Sequence, residues 1–204
     1  MIRRLFQLYT GLALFGLSAA LMLRSDLGLN PWDVLHQGLD HRSALSFGTV
    51  TILTGAIVLL LWVPLRQRPG LGTVSNIILI GLAADLALRT IGDVASLPVR
   101  AFMLAAGIVL NGIATSAYLG ASLGPGPRDG LMTGLAARTG WSIRAVRTCI
   151  ELTVLAVGWV LGGTVGVGTI LYAVLIGPII HRTLPFFSIG RDDAHAAGSS
   201  RNEP

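Results

Sequence analysis

The chain has 204 residues, 52% of them hydrophobic and 12% charged, with a mean hydropathy of +0.71. A soluble domain carries roughly a quarter of its residues charged, so the composition excludes an ordinary water-soluble fold and points to an all-α, polytopic membrane protein. The net charge of +5 rests on fifteen arginines and no lysine. They are spread between apolar runs rather than gathered in one patch, which argues against a nucleic-acid partner.

Crossing a bilayer takes roughly 17–25 apolar residues, and six runs qualify: about 5–23, 47–65, 71–91, 99–121, 142–162 and 167–185. The first follows Arg3-Arg4 and contains Ser18-Ala19-Ala20, a pattern shared with cleavable signal peptides. Next comes a shorter segment, about 30–42, opened by Asn30-Pro31-Trp32-Asp33. Asn30 is suited to cap the free backbone N–H groups and Pro31 to the first helical position, while Asp33 in the first turn is favoured by the helix dipole. His36 and His41 follow without the Cys or carboxylate spacing of a metal site.

Gly70-Leu71-Gly72-Thr73 opens the third run, either as a tight turn or as exposed backbone at a cavity. Within that run Asp85 has Arg89 four residues on, the spacing of a local ion pair. The fourth run leads into a second short segment, about 126–139, headed by Gly126-Pro127-Arg128-Asp129. In the fifth, Glu151 follows Arg147 by one turn and stands near mid-span, where an inward polar role competes with simple pairing. Cys149 is expected in the core. Asn76, Asn111 and Tyr172 place polar atoms inside spans, explained at least as well by helix–helix hydrogen bonds as by a ligand. Gly177-Pro178 is expected to bend or break the last run, and His181 to lie near its end. Residues 188–204 are polar and are expected to form a disordered cytoplasmic tail.

The chain repeats itself at a displacement of 96. Leu27-Gly28 falls on Leu123-Gly124, Pro31 on Pro127 and Asp33 on Asp129, without a gap. Gly38 falls on Gly134, Gly70-Leu71-Gly72-Thr73 on Gly166-Val167-Gly168-Thr169, and Gly11 and Gly16 on Gly107 and Gly112. Matches of Gly, Pro, Asp and Arg do not arise from general greasiness, so a tandem duplication is inferred. The first run then matches an internal one and is retained as a membrane helix. The expected units are residues 1–96, residues 97–187 and the tail. With both termini cytoplasmic, eleven arginines fall inside and four outside. Three spans per repeat is an odd number, so the second repeat is inverted relative to the first. Inverted repeats with Gly/Pro-interrupted segments at matching positions describe many secondary transporters.

Two readings of the short helices stand side by side. In one they enter the protein from opposite faces and aim their N-termini at a shared site. In the other they are surface caps, with Trp32 as an aromatic anchor.

The string from Leu27 to Leu39, with Pro31-Trp32-Asp33-Val34-Leu35-His36 at its centre, followed by Arg68-Pro69-Gly70-Leu71-Gly72-Thr73, resembles the bacterial YczE-like membrane proteins of the broader YczE/YyaS/YitT grouping. The resemblance implies a multi-pass inner-membrane protein and supplies no catalytic residue or substrate. No zincin helix, nucleophile elbow or phosphate loop is present, so no enzyme activity and no cofactor are expected. The function expected is a small transporter or permease. Its substrate, a small molecule or an ion, would meet Asn30, Pro31, Trp32, Asp33, Pro127, Asp129 and Glu151. The alternative is a non-transporting partner of another membrane complex. The lipid bilayer is the expected surrounding, and a homodimer is compatible with six short spans.

Overall fold

The computed structural model describes residues 1–188, so the expected tail lies outside the described residues apart from Ser188. Among those residues there are nine α-helices and no strand. They are α1 (Ile2–Ser25), α2 (Pro31–Arg42), α3 (Phe47–Leu60), α4 (Trp62–Leu65), α5 (Leu71–Thr90), α6 (Leu97–Gly120), α7 (Pro127–Thr139), α8 (Ile143–Val160) and α9 (Val167–Phe187). Five segments are long and apolar enough to cross a membrane: α1, the α3–α4 stretch Phe47–Leu65, α5, α6 and α9. The run expected over 142–162 forms α8, but its 18 residues include Arg144, Arg147 and Glu151, and it falls outside that group.

The centre of the molecule is the crossing of α1 with α6. A methyl group added at Gly11 would lie 2.9 Å from the Tyr118 backbone nitrogen, and one at Gly107 would lie 3.2 Å from the Ser18 carbonyl. The early part of each helix therefore packs on the late part of the other, and the two run antiparallel. Small residues at such crossings let backbones approach closely, which is how helices associate where lipid removes most of the hydrophobic drive. Leu8, Leu12, Ala114 and Ile108 are fully buried around this seam. On its flanks α5 packs against α1 and α9 against α6.

The loops after α1 and α6 turn on Gly28, at φ 115°, and Gly124, at φ 122°, a region that glycine enters without steric cost. Each loop is tied to the start of a distant helix. The Gly168 N–H donates to the Leu27 carbonyl at 2.8 Å, and the Gly72 N–H donates to the Leu123 carbonyl at 2.8 Å. Within each Gly-x-Gly-Thr segment the threonine hydroxyl accepts from the first glycine, Thr73 from Gly70 at 3.1 Å and Thr169 from Gly166 at 3.3 Å. These segments are tight turns rather than cavity walls.

Three expectations are corrected. Gly177-Pro178 does not break α9, which runs unbroken past both Pro178 and Pro185. A proline inside a helix removes one donor, and here the remaining ladder carries the helix on. Cys149 is exposed rather than in the core, because on an apolar helix the outer face is as apolar as the inner one. Asp85 does not pair with Arg89. Its carboxylate turns instead to the start of α3, accepting from the Gly48 N–H at 2.7 Å and from the Ser46 hydroxyl. Free N–H groups at a helix start attract a carboxylate more directly than an arginine on the same exposed face.

The Asp85 contact closes a seam between α3 and α5, where Gly48 and Gly81 bring the two backbones together. The positions 96 residues further on are Arg144, Gly177 and His181. There α8 and α9 hardly touch, and a methyl group added at Gly177 would meet nothing within 4 Å.

Candidate functional site

The two short helices begin as their sequences dictate. In α2, Asn30 Oδ1 accepts from the Asp33 N–H at 3.0 Å, and its amide nitrogen donates to the Asp33 carboxylate. Pro31 occupies the first helical position, where no N–H is missed. In α7 the cap position is Gly126, which offers no side chain. Asp129 reaches back in its place, its Oδ2 accepting from the Gly126 N–H at 3.2 Å and from the Tyr118 hydroxyl at 3.0 Å.

Both helices start on the wall of one cavity of about 230 Å³. Asn30, Pro31, Trp32 and His36 line it from the α2 side, and Gly126, Pro127, Arg128, Asp129 and Met132 from the α7 side. The longer helices add Asn76, Thr115, Tyr118, Arg147, Glu151 and Tyr172, together with an apolar wall that includes Phe15, Ile77, Ile80 and Ile176. At the meeting point the Arg128 guanidinium lies over the Trp32 ring, 4.8 Å from its centroid. Pairs of this type are worth about 0.5–2 kcal/mol, rising with desolvation. Trp32 and Arg128 are 96 residues apart, so the same position of each motif segment touches its counterpart.

Charge around the cavity is arranged in short links. Arg128 Nη2 lies 3.9 Å from Asp33 Oδ1. His36 Nδ1 lies 3.3 Å from that same oxygen and 3.2 Å from the Thr51 hydroxyl. Asp33 is only 2% exposed and sits behind the wall rather than on it. Arg147 Nε donates to Glu151 at 2.8 Å, with both side chains on the wall. Trp32 is 6% exposed, and its indole Nε1 is buried without a hydrogen-bond partner. Among the described residues no cluster of three or more His, Cys, Asp or Glu side chains is placed to hold a metal.

Of the residues expected at a site, Asn30, Pro31, Trp32, Pro127, Asp129 and Glu151 all line this cavity, and Asp33 stands directly behind it. Sequence reasoning left out Arg128, His36, Tyr118 and Arg147. For Arg128 a signal was present: an arginine occupies the position of a tryptophan in the matching segment, and complementary partners at equivalent positions can meet each other. Asn111 and Tyr172 do form the helix–helix bonds expected of them, with Asn111 donating to Ser18 at 2.8 Å and Tyr172 to Asn111 at 3.0 Å.

Several apolar helices enclosing a charged cavity at the meeting of two helix N-termini define a membrane protein. The chain belongs to a family of unknown function (DUF6198), whose model matches residues 2–185. It is 40% identical over 169 residues to an uncharacterized protein of Haemophilus influenzae, covering 83% of this chain and 78% of that one. It is 34% identical over 179 residues to the uncharacterized membrane protein YczE of Bacillus subtilis, covering 87% and 83% of the two chains. With YyaS of the same organism, an uncharacterized protein, identity is 27% over 179 residues, covering 86% and 89%. No solved structure matches the chain.

Proposed function

We propose that this chain is a small permease of the bacterial inner membrane. In this reading six spans form two inverted repeats, and the substrate site lies where α2 and α7 converge. The observation that carries the reading is the contact of Trp32 with Arg128 over a polar cavity between apolar helices. Residues related by the 96-residue displacement touch each other only near an axis that exchanges the two halves, and transporters of this build bind their substrates there. Two further pairs support the same axis: the Leu27–Gly168 and Leu123–Gly72 hydrogen bonds, and the reciprocal packing of Gly11 and Gly107. The antiparallel run of α1 and α6 supports inversion. Both short helices then re-enter the protein from opposite faces.

Thiol labelling tests the arrangement. In a Cys149→Ser background, Ala44→Cys follows α2 and Thr139→Cys ends α7, and both native residues are exposed. A membrane-impermeant maleimide should label Ala44→Cys in intact cells, and Thr139→Cys only after permeabilisation. Labelling of both from one side would rule out inversion. Solute uptake by proteoliposomes, absent from protein-free vesicles, tests transport itself.

A further inference from the structure

We infer that the cavity holds a small organic oxyanion with an apolar body, its acidic head held by the Arg128 guanidinium beside Trp32. The inference rests on the permease reading for the place of the site but not for its chemistry. Four observations point the same way. The N-termini of α2 and α7, helices of 12 and 13 residues, both open on the cavity and present the positive ends of their dipoles, offset in part by Asp33 and Asp129 in their first turns. Arg128 stands between them. Its nearest carboxylate is 3.9 Å away, too far for a direct hydrogen bond, so its guanidinium N–H groups remain available. Trp32 lines the same wall, more than nine-tenths buried, and its Nε1 donor has no acceptor within the protein. A buried donor left in that state costs about 1–3 kcal/mol.

The carboxylates on the wall do not favour a cationic ligand to the same degree. Glu151 is neutralised by Arg147 at 2.8 Å, and Asp129 already accepts from Tyr118 and the Gly126 N–H. The remainder of the wall, including Phe15, Ile77, Ile80 and Ile176, suits an apolar body. A bare inorganic ion would leave that surface uncovered.

The test uses purified full-length protein in phosphatidylcholine nanodiscs, with binding read from tryptophan fluorescence and from the shift in Tm. The probes are benzoate and phenylphosphonate against benzylamine and benzamide, which share the ring and differ in the head group. Saturable binding of the two oxyanions is expected, weakened about tenfold or more by Arg128→Gln, the loss of a charge-assisted hydrogen bond. Arg128→Lys should retain part of the affinity, and Trp32→Phe, which keeps a ring but removes the N–H, should weaken it less than Arg128→Gln. Size-exclusion profiles and unliganded Tm values identify any variant that fails to fold, and Trp32→Phe and Arg128→Lys then carry the comparison. Preference for benzylamine, equal affinity for benzamide, no binding at all, or oxyanion binding untouched in folded Arg128 variants would each overturn the inference. Nanodiscs containing phosphatidylglycerol separate the two sources of an oxyanion. If that lipid abolishes probe binding, the head is a lipid phosphate and the soluble-anion proposal falls. Oxyanion binding without uptake in proteoliposomes would remove the permease reading alone, and uptake of benzylamine insensitive to Arg128→Gln would remove the oxyanion alone.

Discussion

Where α4 meets α7, Gly130 lies flat against the ring of Trp62, which is 1% exposed and donates to the Pro127 carbonyl at 2.9 Å. At the positions displaced by 96 the residue sizes are exchanged, Val34 and Gly158, and Gly158 lies close against the backbone of Val34 and Leu35. Each half thus places one large and one minimal residue at the same crossing, in opposite order. Gly130→Val should collide with the indole and destabilise the protein by about 1–3 kcal/mol or more, the usual cost of overpacking. Combining it with Trp62→Gly recreates the Val34–Gly158 pairing and should recover part of that loss, though not the indole hydrogen bond. Thermal unfolding of the two single variants and the double variant in detergent measures the coupling. Simple additivity would show that the exchange of sizes has no compensating role. Asp85 offers a second contrast. Asp85→Ala leaves the Gly48 N–H without its acceptor and should cost about 1–3 kcal/mol. Arg89→Ala, one turn on, should stay within about 0.5 kcal/mol, and an equal loss from both would restore the ion pair that their spacing suggests.

At the scale of elements, the sequence carried the short helices almost to the residue, because their starts are chemically marked. Asn30-Pro31 and Gly126-Pro127 fix the first helical position, and α2 and α7 begin at Pro31 and Pro127. Also legible were the Arg147–Glu151 pair and six of the seven residues expected at the site, all of which share one cavity. What was not legible depended on partners distant in the chain. Spacing along a helix suggested Arg89 for Asp85, but the partners in the fold are Ser46 and Gly48, 39 and 37 residues away. Cys149 looked like core because an apolar run does not tell a face turned to neighbouring helices from one turned outward. His36 shows the same limit: its link to Asp33 lies within one helix turn, yet its second partner, Thr51, comes from α3.

For the whole molecule, in the proposed two-repeat reading, the difference between the halves bears on function more than their likeness does. The α3–α5 seam is drawn shut by Gly48, Gly81 and the Asp85 carboxylate. The corresponding α8–α9 seam carries Arg144 in place of the first glycine and His181 in place of the aspartate, and it stays apart. The far ends of α8 and α9 are nevertheless anchored, Gly158 against Val34 and Leu35, and Gly168 against Gly28. At the ends bearing Arg144 and His181 the two helices hold little contact with each other, while that end of α9 stays tied to α6 and α1 through Thr183–Ser116 and Phe187–Gln7. In the proposed topology those ends are cytoplasmic, and the α8 and α9 residues Arg147, Glu151 and Tyr172 on the cavity wall lie on the two helices of that looser seam. A permease with two related seams works by opening one while the other is closed. Thr54 lines the cavity, and a Thr54→Cys, Cys149→Ser protein should react with a membrane-impermeant thiol reagent from the cytoplasmic side. Adding Gly81→Phe, which cannot fit against the Gly48 backbone, should wedge the α3–α5 seam and move that reactivity to the outer side. Labelling that stays cytoplasmic in a folded Gly81→Phe protein would mean that the closed seam is a fixed structural joint and that the two halves do not exchange roles.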